Sequence, residues 1–123
     1  MKIEHMTVEQ AVQEYCQLLT ECSEKVWAVK CDLNVRDHFA TKGKKYYRIV
    51  EASRVSPETR QSVHAFVGID DGYLYKADGW SRPSKGVRYN LMDDVSKHRL
   101  FQGLRRMADA GSSPSGSGYL YRR

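Results

Sequence analysis

Residues 76–90 combine positive charge with aromatic rings. From Trp80 onward their apolar residues show neither the periodicity of a helix nor that of a strand. Cations neutralise phosphates and aromatic faces stack on bases, while an amide such as that of Asn90 bonds a base edge or a ribose hydroxyl. An irregular backbone can converge side chains on one point, whereas a helix would spread them around its surface. The side chains concerned are Lys76, Trp80, Arg82, Lys85, Arg88, Tyr89 and Asn90. The segment predicts a nucleotide pocket; a solvated basic face, with Trp80 covering the core, is the alternative.

The positive charge of the chain is concentrated in this region. Residues 1–43 carry five basic and seven acidic side chains, whereas residues 76–106 carry eight basic and three acidic ones. Arg105 and Arg106 on a predicted helix, and Arg122 at the terminus, add to the same field. This uneven distribution indicates an anionic partner.

Motifs for catalysis are missing from the sequence. The four histidines, among them His64 on a predicted strand, lie in separate elements, and no H-x-x-x-H or H-E-x-x-H pattern exists. There is also no G-x-x-x-x-G-K-[ST] phosphate loop and no G-x-S-x-G elbow. Cys16, Cys22 and Cys31 form no C-x-x-C pair, so we expect reduced, buried thiols. The sequence therefore predicts no enzyme, no metal site and no cofactor.

The first predicted element is an N-terminal helix within residues 1–30. Thr7 and Gln10 form a capping box at its start. Apolar residues then follow at alternate spacings of four and three, as in a heptad seam. They are Val8, Val12, Tyr15, Leu19, Cys22, Val26 and Val29. The stripe packs on the chain's own sheet or, as a second hypothesis, also forms a subunit interface.

An antiparallel sheet of three to four strands is predicted within residues 45–92, after a loop or a short helical turn at 32–44. The strands are Lys45 to Val50, Ser62 to Ile69 and Tyr73 to Ala77. In the second strand Ala65 and Val67 alternate with His64 and Phe66, which places His64 on the opposite face. The turn at Asp70-Asp71-Gly72 is typical of a hairpin.

A second helix is predicted at residues 93–110, capped by Asp93 or Ser96 and stopped by Gly111. Residues 111–118 read as a flexible linker and residues 119–123 as a terminal strand. With 123 residues we expect one α+β domain. No apolar run approaches the roughly 20 residues of a membrane span, and the N-terminus lacks the apolar core of a signal peptide, so a cytoplasmic location is expected.

The run YRIVEASRVSPETRQSVHAFVGIDDGYLYKADGWSRPSKGVRYNL, with the closing GYLYRR, carries the signature Y-K-A-x-x-W-x-x-P-x-K-x-x-R-x-N. It resembles the first family of phage Thoeris anti-defence proteins, the sponges. The resemblance implies an oligomer, a dimer or trimer of dimers, that sequesters a cyclic ADP-ribose-type signal, or a cyclic oligonucleotide, without cleaving it. It further implies that Trp80 stacks on the base, that Asn90 makes a polar contact, and that Lys85, Arg88 and the C-terminal arginines hold phosphates.

On this resemblance the protein acts in the cytoplasm of an infected host bacterium, in immune evasion. Two other classes stay open on the residues themselves. A nucleic-acid-binding module would use the same basic aromatic segment, and the sequence pI of about 9.2 suits it. A direct inhibitor of a host enzyme would instead use the acidic surface of the first helix.

Overall fold

The computed structural model describes residues 6–27, 34–58 and 60–112. The described elements follow one another as α1 (Val8–Trp27), β1 (Arg36–Lys42), β2 (Tyr46–Ser53), β3 (Gln61–Gly68), β4 (Tyr73–Lys76), β5 (Tyr89–Asn90) and α2 (Asp94–Asp109). The strands form one antiparallel sheet in the order β1-β2-β3-β4-β5. The predicted α+β class is confirmed, with a sheet slightly larger than the predicted three to four strands.

The start of α1 has the predicted capping box. The Gln10 amide donates to Thr7 Oγ1 at 3.1 Å, and the Thr7 amide donates to Gln10 Oε1 at 2.9 Å. Further along α1, the apolar stripe that includes Tyr15 and Leu19 is buried in the chain's own core. The first of the two hypotheses for this stripe is therefore confirmed, and the oligomer stays a prediction.

Both helices pack on the same face of the sheet. Their apolar side chains share one cluster with Tyr47, Ile49, Ala65, Val67 and Leu74 from the strands. Because strand side chains alternate, the neighbours of these residues point to the other face of the sheet. Each large side chain buried in the cluster contributes roughly 1.5–3 kcal/mol. The cluster therefore anchors α1 and α2 against the sheet.

The loop or short helical turn predicted at residues 32–44 is wrong, because β1 occupies Arg36–Lys42. Its sequence, RDHFATK, has polar residues on both faces and so lacks the alternation of a half-buried strand. Pairing with β2 and bonds to α1 stabilise it instead. The amides of Arg36 and His38 donate to the hydroxyls of Ser23 and Thr20, at 2.9 and 2.8 Å. The α1 hydroxyls thus satisfy donors on an edge strand.

The strict alternation predicted for β3 is also wrong at one residue. Ile49 of β2 pairs with Ala65, but the next residue, Val50, pairs with Val63. His64 is therefore an extra residue in β3, which defines a β-bulge. The bulge turns His64 toward the helices, where its ring lies 6.2 Å from that of Tyr15.

The ends of α2 match the prediction. Asp93 is the N-cap and its Oδ2 accepts from the Ser96 amide at 2.8 Å, while Gly111 has a φ of 85° beyond the last turn. Neither described helix is both long and apolar enough to cross a membrane. The predictions for Cys31, Arg122 and the segment 113–123 lie outside the described residues.

Replacing Thr7 by alanine removes the hydroxyl that accepts from the first turn of α1. We expect the free energy of unfolding to fall by about 1 kcal/mol, the usual contribution of such a cap. Urea unfolding followed by circular dichroism measures it. Thr7→Ser, which keeps the hydroxyl, is the matched control; equal losses in both variants would show that the cap is not responsible.

The thiols of α1 should be protected by burial. Burial raises the pKa of Cys16 to about 12, and it also raises the pKa of Cys22. Because the thiolate is the nucleophile, iodoacetamide at pH 8 should label Cys16 at least tenfold more slowly in the native protein than in urea. Peptide mass spectrometry follows each cysteine separately. Equal rates in the two conditions would contradict the burial of this thiol.

Candidate functional site

The segment between β4 and β5 starts with a tight turn. Ala77 and Pro83 form an isolated bridge, and the Asp78 amide donates to the Arg82 carbonyl at 2.9 Å. Inside the turn Gly79 has a φ of 93°, a conformation that costs glycine little. Trp80 follows it and lies at the tip of this turn.

Trp80 is 47% exposed, so its ring is not part of the core. The Arg48 guanidinium lies over this ring, 5.5 Å from its centroid. Arg48 belongs to β2 and points away from the helices, since it neighbours the buried Tyr47 and Ile49. Arg48 was not predicted as a site residue, because a single arginine within a strand carries no local signal. Together Arg48 and Trp80 form a cation–π pair on the side of the sheet opposite the helices.

A cavity of about 560 Å³ lies between β5 and α2. We call it the arginine pocket, because Arg88, Arg99 and Arg106 all line it. Its other lining residues are Tyr89, Asp93, Val95, Ser96, Gln102 and Gly103. Arg99 and Arg106 are seven residues apart, which places them on one side of α2 two turns from each other. Arg88 approaches from the strand side, where its amide donates to the Leu74 carbonyl at 2.8 Å.

The charges of the arginine pocket favour an anion. Three arginines line the pocket against one acidic residue, Asp93, whose carboxylate is already engaged as the cap of α2. The Nε of Arg88 is buried and has no hydrogen-bond partner among the described residues. The N-terminal end of α2 adds partial positive charge beside it. A buried donor without an acceptor is unfavourable, so an acceptor such as a phosphate oxygen would stabilise it.

The predicted site residues are divided between different places. Arg88, Tyr89 and Arg106 line the arginine pocket, whereas Trp80, Arg82 and Lys85 do not. Arg82 and Lys85 are exposed, and Arg82 lies 3.7 Å from the Asp78 carboxylate.

Two further predicted residues have roles within the fold. The Asn90 side-chain oxygen accepts from the Met92 amide at 2.8 Å, in the turn before α2. Arg105 lies over the Phe101 ring at 5.9 Å and lines a different cavity. Arg99 was missed by the sequence analysis, although its spacing of seven from Arg106 was a usable signal.

A second group of polar side chains is buried beneath α1. His38, Glu51 and His64 come from β1, β2 and β3, and each side chain is at most 1% exposed. Glu51 Oε1 lies 3.9 Å from His38 Nε2 and 3.6 Å from His64 Nδ1. Its other oxygen accepts from the Arg36 guanidinium at 3.3 Å. We call these three residues the His-Glu-His cluster.

The environment of His38 keeps its imidazole neutral. Burial and the neighbouring His64 lower the pKa of His38 to about 3, and the attraction of Glu51 offsets only part of this. The Nδ1 atom of His38 lies 3.5 Å from Thr20 Oγ1. The cluster was not predicted, because its successive members are thirteen residues apart and only strand pairing and the bulge at His64 bring them together.

Comparison with protein families gives one match. Residues 1–114 match the family model described as Family of unknown function (DUF7717), which is more than half of the 123-residue chain. The comparisons with curated proteins and with solved structures each gave no match.

Proposed function

This chain belongs to the DUF7717 family, and we propose that it binds a phosphate-bearing nucleotide in the arginine pocket without chemically altering it. The single observation that carries the proposal is the convergence of Arg88, Arg99 and Arg106 on one cavity. Guanidinium groups bind phosphate through paired, charge-assisted hydrogen bonds. A volume of about 560 Å³ is in the range of small-ligand sites.

The proposed ligand class follows from the resemblance of about residues 45–92 and the closing GYLYRR to the phage sponges. Of the contacts that the resemblance implies, Arg88 and Arg106 line the arginine pocket, whereas Trp80 and Lys85 do not. We propose that the ligand is a cyclic ADP-ribose-type signal. Its diphosphate suits two or more guanidinium groups, and Tyr89, which lines the pocket, provides an aromatic ring for contact with its base. A protein that sequesters a signal acts by mass action, and it must hold the ligand at nanomolar concentrations, about −12 kcal/mol of binding free energy. Such affinity favours an enclosed site, which a second subunit would complete.

Arg106→Ala and Arg99→Ala should each weaken the binding of cyclic ADP-ribose at least tenfold. Each variant removes charge-assisted hydrogen bonds worth roughly 1.5–3 kcal/mol. Isothermal titration calorimetry measures the affinity, and chromatography of the recovered nucleotide should show it intact. Hydrolysis of the nucleotide would contradict the non-catalytic part of the proposal.

Arg105→Ala is the matched control, because Arg105 adjoins Arg106 in sequence but lies over Phe101, outside the arginine pocket. It removes the same charge from the protein. We expect its affinity to stay within twofold of the parent protein. If Arg105→Ala and Arg106→Ala weaken binding equally, general charge attraction and not the pocket is responsible.

Single-stranded nucleic acid is the second candidate ligand, and the Arg48–Trp80 pair favours it. An exposed ring with a cation beside it provides the stacking surface that such proteins use, and it lies on the face of the sheet opposite the helices. Tyr46, Phe66 and Tyr75 pack edge to face on the same side, with ring centroids 5.7 and 6.0 Å apart.

Trp80→Ala separates the two candidates. A nucleic-acid surface predicts that this variant binds a fluorescent oligothymidylate about tenfold more weakly, since stacking contributes roughly 1–3 kcal/mol per base. Nucleotide binding in the arginine pocket should be unchanged, because Trp80 does not line it. Fluorescence polarisation at several salt concentrations is the measurement. Val87→Ala, at another exposed apolar residue of the segment, is the control, and an equal loss in both variants would exclude stacking on Trp80.

A further inference from the structure

The His-Glu-His cluster places three metal-ligating atoms around one point inside the protein. His38, Glu51 and His64 each offer one ligand atom, and these three atoms lie within 4.8 Å of one another. The pairing of β1 with β2 sets His38 directly opposite Glu51, and the bulge in β3 supplies His64 from the other side. The atoms therefore belong to three neighbouring strands that the sheet holds in fixed register.

The distances between the Glu51 carboxylate and the two imidazoles are too long for direct hydrogen bonds. They are close to the distances between ligand atoms that bind the same metal ion. The carboxylate–imidazole distances of 3.6 and 3.9 Å are longer than a hydrogen bond. A tetrahedral zinc ion, with bonds of about 2.0–2.2 Å, sets its ligand atoms roughly 3.3 Å apart. To match, the first distance must shorten by about 0.3 Å and the second by about 0.6 Å. His38 Nε2 also has no hydrogen-bond partner among the described residues.

Neighbouring side chains orient the ligands. Thr20 Oγ1 lies 3.5 Å from His38 Nδ1, which leaves Nε2 directed toward Glu51. Arg36 holds the second carboxylate oxygen of Glu51 at 3.3 Å, so Oε1 is the oxygen that faces the imidazoles. Partners of this kind, bound to the far side of each ligand, are usual in metal sites and fix the ring orientation.

A cleft of about 470 Å³ lies beside the cluster, between α1 and β1. His38 lines it together with Cys16 and Tyr47, whereas Glu51 and His64 do not. Three protein ligands with one open position differ from the closed four-ligand sets of purely structural zinc sites.

We propose that His38 Nε2, Glu51 Oε1 and His64 Nδ1 bind one divalent transition-metal ion of the zinc class. Two imidazoles and one carboxylate suit zinc and its neighbours, whereas magnesium and calcium prefer oxygen ligands throughout. The bound ion joins β1, β2 and β3. None of the three residues lines the arginine pocket, so the two proposals are independent.

The test uses the full chain after treatment with a chelator and dialysis. Isothermal titration with zinc chloride should show one ion per chain, and magnesium chloride should show none. The nitrogen-15 resonances of the histidine rings should move at His38 Nε2 and His64 Nδ1 on addition of zinc, while those of His98, exposed on α2, stay unchanged. No binding, or shifts confined to other histidines, would overturn the proposal.

Variants give the second readout. Glu51→Gln and His38→Gln should each bind zinc at least tenfold more weakly, and His98→Gln should bind as the parent protein does. Equal affinity in all three would overturn the proposal, because the ion would then lie elsewhere. Circular dichroism establishes that each variant is folded; should a core variant fail to fold, the ring resonances of the parent protein decide.

Discussion

Burying the carboxylate of Glu51 is the constraint on which much of this structure depends. A charged group removed from water is strongly unfavourable unless opposite charge and polar partners surround it. Arg36 supplies the charge from β1, and it can do so only in the register that places His38 opposite Glu51. The two α1 hydroxyls that bond the amides of β1 keep that edge strand in place.

The bulge in β3 serves the same constraint from the other side. Without the extra residue, the alternation of the strand would point His64 away from the helices and from Glu51. A bulge interrupts ladder pairing locally, which has an energetic cost, and bulges are common where a side chain must be re-aimed. The buried polar cluster and the irregular strand are therefore one feature, and its chemistry differs from that of the basic surface.

The arginine pocket depends on a different part of the fold. The apolar residues of α2, including Leu100 and Leu104, fix the helix on the core. The helix is then positioned so that Arg99 and Arg106 face Arg88 across the cavity. The two candidate sites thus lie at different parts of the sheet, one at β1–β3 and one beyond β5. In both, the apolar core positions the strands and helices that carry the site residues.

Local patterns in the sequence determined the ends and faces of the helices. The hydroxyl of Thr7, the carboxylate of Asp93 and Gly111 act within a few residues, so their types alone predict where α1 begins and where α2 begins and ends. The basic segment at 76–90 was likewise visible in the composition of the sequence.

Tertiary structure decided which residues lie next to this basic segment. Arg99 and Arg106 of α2 line one cavity with Arg88, whereas Arg48 of β2 lies over the ring of Trp80. Tertiary structure also determined that β1 forms, that β3 has a bulge at His64 and that His38 lies beside Glu51. These features depend on strand pairing between residues distant in sequence, and the energy of that pairing cannot be read from a local pattern of residue types.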